Sequence, residues 1–272
     1  MIEVNYAMQI CDTQSREPVD RIITDDRTLI SKKSLVSFLE SVVNAVETGH
    51  PAKHHVALIM DRCTPDLIEF CRLCQQFYGT GVIQIDIIDL QPKSGIIDSI
   101  RTCYQWLSDT PGDIVFQVQD DYLFETSAIV ESIDVWFQLG QGTQHHPIVQ
   151  PFNDIRHWRR AAYMQHPLMV VLGNKRYWIQ IYDTSCSFMT SHGQFIRHWD
   201  LYDQFFHLIE TKSPTLESDS LNHMLTKRNV IGITPTQTLS HHLQYELDPY
   251  NPPHKLWNRV DLDIANRIRD KS

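Results

Sequence analysis

Asp113-Ile114-Val115-Phe116-Gln117-Val118-Gln119-Asp120-Asp121-Tyr122-Leu123-Phe124 is the stretch from which the rest of the chain is read. Ile114, Val115, Phe116 and Val118 form a short run of β-branched and aromatic residues, the composition of a buried strand. The run stops at two adjacent carboxylates, Asp120 and Asp121. In an open α/β sheet ligands bind outside the carboxyl ends of the strands, so an acidic pair there stands where chemistry is done. Neighbouring carboxylates repel unless a cation or hydrogen bonds offset them. A hard divalent ion with oxygen ligands, Mn²⁺ or Mg²⁺, is the natural partner. The plainer alternative is a strand ending in a polar turn, with Asp121 capping the next segment.

Upstream, strand and helix alternate. Tyr6–Cys11 reads as a first strand, ending at Asp12. A polar loop follows, with an Arg21/Asp25/Asp26/Arg27 cluster. Ser34–Val46 carries apolar residues at helical spacing (Leu35, Val36, Phe38, Leu39, Val42, Val43, Val46), with Ser31 or Ser34 as its cap. His55–Met60 is a second strand, ending at Asp61. Thr64-Pro65-Asp66 opens the next helix with a cap and a proline at its first position. Val82–Ile88 is a third strand, followed by Lys93-Ser94-Gly95, and a helix carries Ile97, Ile100, Tyr104 and Leu107. Four strand–helix alternations call for a mostly parallel sheet with right-handed crossovers. A ring of loops bearing Asp12, Asp61, Lys93 and the acidic pair suits a nucleotide: carboxylates for hydroxyls or a base N–H, a lysine for phosphate. Neither a G-x-G-x-x-G fingerprint nor a P-loop occurs.

Residues beyond 124 are less regular. Ile148–Phe152, Leu168–Leu172 and Tyr177–Tyr182 read as strands, Gly193–Phe206 as a helix, and Val230–Thr234 as extended chain. Pro249–Trp257 is too proline-rich for a regular element. The sequence shows no repeat and no linker. One α/β domain is expected over 1–272, with a nucleotide-binding half at 1–124, a smaller mixed half at 125–240 and a C-terminal flap at 241–272.

Composition narrows the function classes. Of 272 residues, 42% are hydrophobic and 21% charged, an ordinary globular balance. Lys and Arg number 24 against 33 Asp and Glu, a net charge of −9 with His neutral, which argues against nucleic acid as a partner. No apolar run approaches the roughly 20 residues of a transmembrane segment. With no export signal recognised, a cytoplasmic location is expected. Cys71-x-x-Cys74 has no second pair to complete a zinc site and falls in a helical pattern, so both thiols are expected to pack as small apolar groups.

The order of these parts resembles the GT-A-fold glycosyltransferases, in particular the family-2 group and, at the acidic pair, N-acetylglucosaminyltransferase I. Gln119-Asp120-Asp121 stands where those enzymes carry an Asp-x-Asp or Glu-Asp-Asp motif at the end of the fourth strand. The resemblance spans roughly residues 6–257 and implies a GT-A (Rossmann-like) sheet flanked by helices. It implies that Asp121 binds Mn²⁺ or Mg²⁺ and that Asp120 contacts the donor's ribose or sugar. It also implies donor contacts at Asp12, Asp61 and Lys93. Glu217-Ser218-Asp219 resembles the acid motif that supplies the catalytic base, from Asp219 or Glu217. His241 or His242 resembles the histidine completing the metal site. Lys255 resembles the tail lysine that grips the diphosphate in some galactosyltransferases. The activity implied is transfer of a hexose, with inversion, from a UDP-sugar to an acceptor hydroxyl of unknown identity. A nucleotidyltransferase, or a sugar-nucleotide-binding protein without activity, are the alternatives.

Overall fold

The computed structural model describes residues 2–12, 23–24, 26–50, 52–90, 95–140, 146–153, 169–184, 187–243 and 253–271. The chain begins β1 (Ile2–Ile10), α1 (Arg27–Glu47), β2 (Ala52–Met60), α2 (Pro65–Tyr78), β3 (Ile83–Asp89), α3 (Ile96–Asp109) and β4 (Ile114–Gln119). After the acidic pair come β5 (Tyr122–Phe124), α4 (Ala128–Gly140), β6 (Ile148–Val149), β7 (Val170–Leu172), β8 (Tyr177–Ile181) and β9 (Phe188–Ser191). Helices His192–Arg197, Trp199–Glu210 and Asn222–Lys227 lead to β10 (Gly232–Pro235) and β11 (Ser240–His242). Helices His254–Arg259 and Ile264–Lys271 follow.

Among the described residues, nine strands form one sheet in the order β3-β2-β1-β4-β9-β6-β10-β8-β7, and β5 pairs with β11 in a separate two-stranded ribbon. The first four strands are all parallel, in register from Ile2 beside Ala52 and from Val4 beside Ile114. From β9 onward the sheet is mixed, with β9 antiparallel to both β4 and β6. This is an α/β fold with a parallel first half and a mixed second half, flanked by helices, as expected from the sequence. Because β2 and β3 lie on one side of β1 and β4 on the other, the strand order reverses between β1 and β4. The crevice beyond their carboxyl ends is the topological switch point, where sheets of this kind bind ligands.

Central strands are apolar on both faces because helices cover both. Val4, Tyr6, Met8 and Ile10 of β1, with Ile114, Phe116 and Val118 of β4, face the core under α1, α2 and α4. The alternate residues Ala7 and Val115 face α3 and the 192–210 helices, where Tyr104 packs among Phe195, Tyr202 and Phe206. Truncating a ring buried this fully, such as Phe116→Ala, costs about 3–5 kcal/mol. Cys71 and Cys74 lie buried in this core, and burial pushes both thiols up, that of Cys74 to about 12. At the entry to β4, Asn5 Nδ2 donates to the carbonyls of Thr110 and Pro111. A Cβ on Gly112 would stand 2.5 Å from that nitrogen, so a side chain there would push the Asn5 amide off these carbonyls.

Several elements depart from the sequence reading. α1 starts at Arg27, with Asp26 as its cap accepting from the Leu29 N–H, so Ser31 and Ser34 are interior residues rather than caps. The single helix expected over 193–206 is two, broken at His198. The proline-rich tail contains a helix at His254–Arg259. α4, β5 and the helix Ile264–Lys271 form where no element is expected. The basic and aromatic segment His157-Trp158-Arg159-Arg160 lies outside the described residues. Among the described residues no helix is long and apolar enough to cross a membrane.

Candidate active site

The two carboxylates after β4 diverge. Asp120 turns inward to the switch point, where its Oδ2 accepts from the Cys11 backbone N–H at 2.8 Å and from Ser31 Oγ at 2.7 Å. Its other oxygen is ion-paired with Arg27 Nη2. Arg27 also donates through Nε to the Cys11 carbonyl at 2.9 Å. One guanidinium on the first turn of α1 thereby joins the ends of β1 and β4. Burial drives the Asp120 carboxyl above the usual range, and Arg27 with the two other donors opposes it. Burial works against the charge on Arg27, but Asp120 and Asp121 hold it above its ordinary value.

Asp121 faces the other way, toward the ribbon. β11 runs antiparallel to β5, with His242 opposite Tyr122 and His241 opposite Leu123, and the Leu243 N–H donates to the Asp121 carbonyl at 2.9 Å. This pairing brings His242 Nε2 to 3.3 Å from Asp121 Oδ2. The imidazole lies flat on the Tyr122 ring, centroids 4.5 Å apart and planes 7° from parallel, with Phe152 edge-on at 5.8 Å. His241 projects to the opposite side of β11, with Nε2 3.6 Å from Glu125. The His241 contact, with Arg259 adding to it, holds Glu125 below the usual carboxylate range against the effect of burial. Of the two histidines the sequence left as alternatives, His242 is the one beside Asp121.

The remaining candidates come from elsewhere in the chain. Asp12, at the end of β1, accepts from the Thr64 N–H at 3.0 Å and from the Thr64 hydroxyl, tying β1 to the cap of α2. Asp61 is fully buried at the end of β2 and accepts from Arg62 Nε at 3.1 Å and Nη2 at 3.0 Å. Arg62 itself sits at φ 54°, a left-handed conformation that costs a non-glycine residue roughly 1–2 kcal/mol. Lys93 lies outside the described residues. Lys255 is exposed on the helix His254–Arg259. Glu217 and Asp219 stand in the turn before the helix Asn222–Lys227. The Glu217 carbonyl accepts from the Asn222 N–H at 2.9 Å, and the Asp219 side chain accepts from the Thr215 hydroxyl.

The donor set at Asp121 and His242 fits a divalent ion completed by ligand oxygens. Two cis ligands of an octahedral site with bonds of roughly 2.1 Å lie about 3 Å apart, close to the observed 3.3 Å. One carboxylate and one imidazole suit Mn²⁺ better than Mg²⁺, which prefers oxygen alone. Among the described residues no group of three or more His, Cys, Asp or Glu could hold a metal by itself.

No protein-family model and no curated protein matches the chain. Solved structures similar to it include a CMP:2-keto-3-deoxy-manno-octonic acid synthetase complexed with CTP. That protein is 12% identical over 98% of this chain and 99% of its own, with a TM-score of 0.44. The bifunctional glycosyltransferase WbbM, in its apo form, is 7% identical over 76% of this chain and 34% of its own, with a TM-score of 0.41. S. aureus TarS is 10% identical over 88% of this chain and 36% of its own, with a TM-score of 0.48. The chain spans about a third of the length of the last two. Identities this low and TM-scores below 0.5 leave the reading of the site to its own geometry.

Sequence reasoning missed what holds the site in place. Arg27 is noted there only as part of a charged loop, and Ser31 only as a cap. The signal was present in the spacing of Ser31, Ser34, Ser37 and Ser41, which places four hydroxyls on one face of α1. Ser31 reaches Asp120. Ser34 Oγ donates to the Tyr122 carbonyl at 2.7 Å, and Ser37 and Ser41 accept from the Phe124 and Ile129 N–H groups at 3.1 and 3.0 Å.

Proposed function

We propose that this protein is a glycosyltransferase that takes a sugar from a nucleotide-diphosphate sugar, a UDP-sugar by the motif resemblance, and passes it to an acceptor hydroxyl. The observation that supports the reading is the pairing of Asp121 with His242 directly after β4, one of the two parallel strands that border the switch point. Asp121 and His242 would hold Mn²⁺, with Mg²⁺ as the weaker match. When bound, the ion supplies positive charge to the leaving diphosphate.

The chain's own residues account for the rest of the chemistry. Lys255, exposed on the tail helix, offers a second positive charge to the diphosphate. Asp12, at the end of β1, offers an acceptor for ribose hydroxyls or a base N–H, whereas Asp61, at the end of β2, is fully buried and held by Arg62. In an inverting transfer the acceptor oxygen bonds to the anomeric carbon as the bond to the diphosphate breaks. The hydroxyl proton passes to a carboxylate on the acceptor side, Asp219 or Glu217.

The test is release of UDP from a panel of UDP-sugars with Mn²⁺, in wild type and in Asp121→Ala. Mn²⁺-dependent release that the variant loses supports the reading. Release of pyrophosphate from a nucleoside triphosphate and a sugar substrate would instead make the protein a nucleotidyltransferase. Binding of UDP and Mn²⁺ by the variant as tightly as by wild type would show that Asp121 is not a metal ligand.

A further inference from the structure

The sequence treats Asp120 and Asp121 as a pair facing one ligand, but the structure gives them different surroundings. Asp120 is 4% exposed, and its carboxylate is engaged by a guanidinium, a backbone amide and a hydroxyl. These donors come from two places in the chain: Cys11 from the end of β1, Arg27 and Ser31 from α1. Three donors, one of them charged, occupy most of the acceptor capacity of a carboxylate. Little of it is left for a sugar or ribose hydroxyl.

We propose that Arg27 and Ser31 are positioning residues for the metal site, and that Asp120 is the anchor they grip rather than a contact to the donor. With Asp120 drawn into the crevice, the turn between β4 and β5 carries the next side chain to the other side, where Asp121 meets His242. Arg27 fits this role because it grips two points, the Asp120 carboxylate and the Cys11 carbonyl, and so fixes β4 against β1. Lysine, with a single ammonium and no fork, cannot hold both with the same geometry. This inference rests on the metal-site reading above.

The experiment uses the full chain, with Mn²⁺ binding followed by electron paramagnetic resonance and UDP binding followed by calorimetry in EDTA. Asp120→Asn and Arg27→Gln are each expected to weaken Mn²⁺ binding about tenfold or more, the effect typical of losing a group that orients a metal ligand. The double variant is expected to bind Mn²⁺ no more weakly than the poorer single, because both changes release the same anchor. UDP binding in EDTA is expected to stay within about twofold of wild type in all three. Removing Arg27 leaves a buried unpaired carboxylate that can unfold the protein. Ser31→Ala removes only a neutral donor and is expected to fold and to weaken Mn²⁺ binding severalfold, and Arg27→Lys to recover part of the loss seen in Arg27→Gln.

Loss of UDP affinity in EDTA on Asp120→Asn alone would make Asp120 a donor contact and overturn the proposal. Mn²⁺ binding unchanged in Asp120→Asn and Ser31→Ala would overturn it too, while leaving the metal site standing. Failure of wild type to bind Mn²⁺ at all would overturn the metal reading itself and the positioning role with it.

Discussion

His242 Nε2 lies 3.3 Å from Asp121 Oδ2, across 121 positions of sequence. The contact is held by backbone as well as by side chains. β11 lies against β5, Leu243 donates to the Asp121 carbonyl, and the imidazole is fixed on its flat face by Tyr122. A ring held this way keeps its nitrogens pointed at one place before any ligand arrives, which is the preorganisation a catalytic site needs.

The proposal that both groups are ligands of one ion has a measurable consequence. Asp121→Ala and His242→Ala are each expected to weaken Mn²⁺ binding by at least tenfold, and together to fall short of the product of the single effects. His241→Ala is expected to leave Mn²⁺ affinity unchanged, since its imidazole faces Glu125. A Mn²⁺ titration of the four proteins decides the matter. Weakening by His241→Ala and not by His242→Ala would reverse the assignment.

The serine face of α1 also makes a prediction about stability. Ser34 satisfies the Tyr122 carbonyl and Ser37 the Phe124 N–H, all within the protein interior. Replacing either by alanine leaves a buried backbone group without its partner and is expected to cost about 1–3 kcal/mol. Ser218, exposed in the 214–221 turn, serves as a control and is expected to change stability by less than about 0.5 kcal/mol. Urea unfolding of the three variants reads this directly. Losses at Ser34 and Ser37 no larger than at Ser218 would show that the hydroxyls do not secure the β4–β5 turn.

Those serines mark where the sequence was hard to read. The parallel half was legible because strands buried on both faces are continuous apolar runs, and α2 and α3 carry a clear helical period. In α1 the serines interrupt the apolar face, so the helix looks as if it begins where it is already into its second turn. α4 went unseen because it is buried nearly all round, and one of its buried residues is Glu131, ion-paired with Arg176 at 2.6 Å. Such a helix shows neither a polar face nor an apolar stripe. β5 and β11 are three residues each, and their pairing is a long-range fact that no local pattern contains. For the site the same division holds. Asp121 and the choice between His241 and His242 were visible as residue types at strand ends. The inward turn of Asp120 was not, because it depends on Arg27 arriving from another element.

The tail is tied to this framework by Lys33. Its ammonium donates to the carbonyls of Trp257 and Val260 at 2.7 and 2.8 Å and lies 5.1 Å from the Trp257 ring centroid. Ile30, Leu123, Leu243, Leu256 and Trp257 form a small apolar cluster beneath it. Lys33→Met removes both donors and the charge but keeps the aliphatic stem. The expected result is faster amide exchange across 253–260, with little change in β1 and β2, and quenching of Trp257 by iodide that wild type resists. Because Lys255 sits on the same helix, UDP-sugar affinity is expected to fall as well. Exchange rates in the tail equal to wild type would mean that the apolar cluster alone holds it.

A last prediction concerns pH and comes from the far side of the core. His54 is 1% exposed on β2, with Nδ1 2.9 Å from the Tyr6 hydroxyl. Burial, and then the neighbouring His50, push its pKa down to about 4. An unfolded histidine titrates near 6.5, so between those values the unfolded chain holds a proton that the folded chain does not. Stability therefore rises with pH across this window. The contribution is complete above about pH 6.5, is lost progressively as pH falls toward 4, and amounts to roughly 3 kcal/mol. His54→Asn removes the titrating group, and its urea-unfolding free energy is expected to vary less between pH 4 and 6.5 than that of wild type, by up to about 1.4 kcal/mol per pH unit. The two curves are expected to run parallel above pH 7. If they run parallel below pH 6 as well, His54 is not the group that makes the fold acid-sensitive.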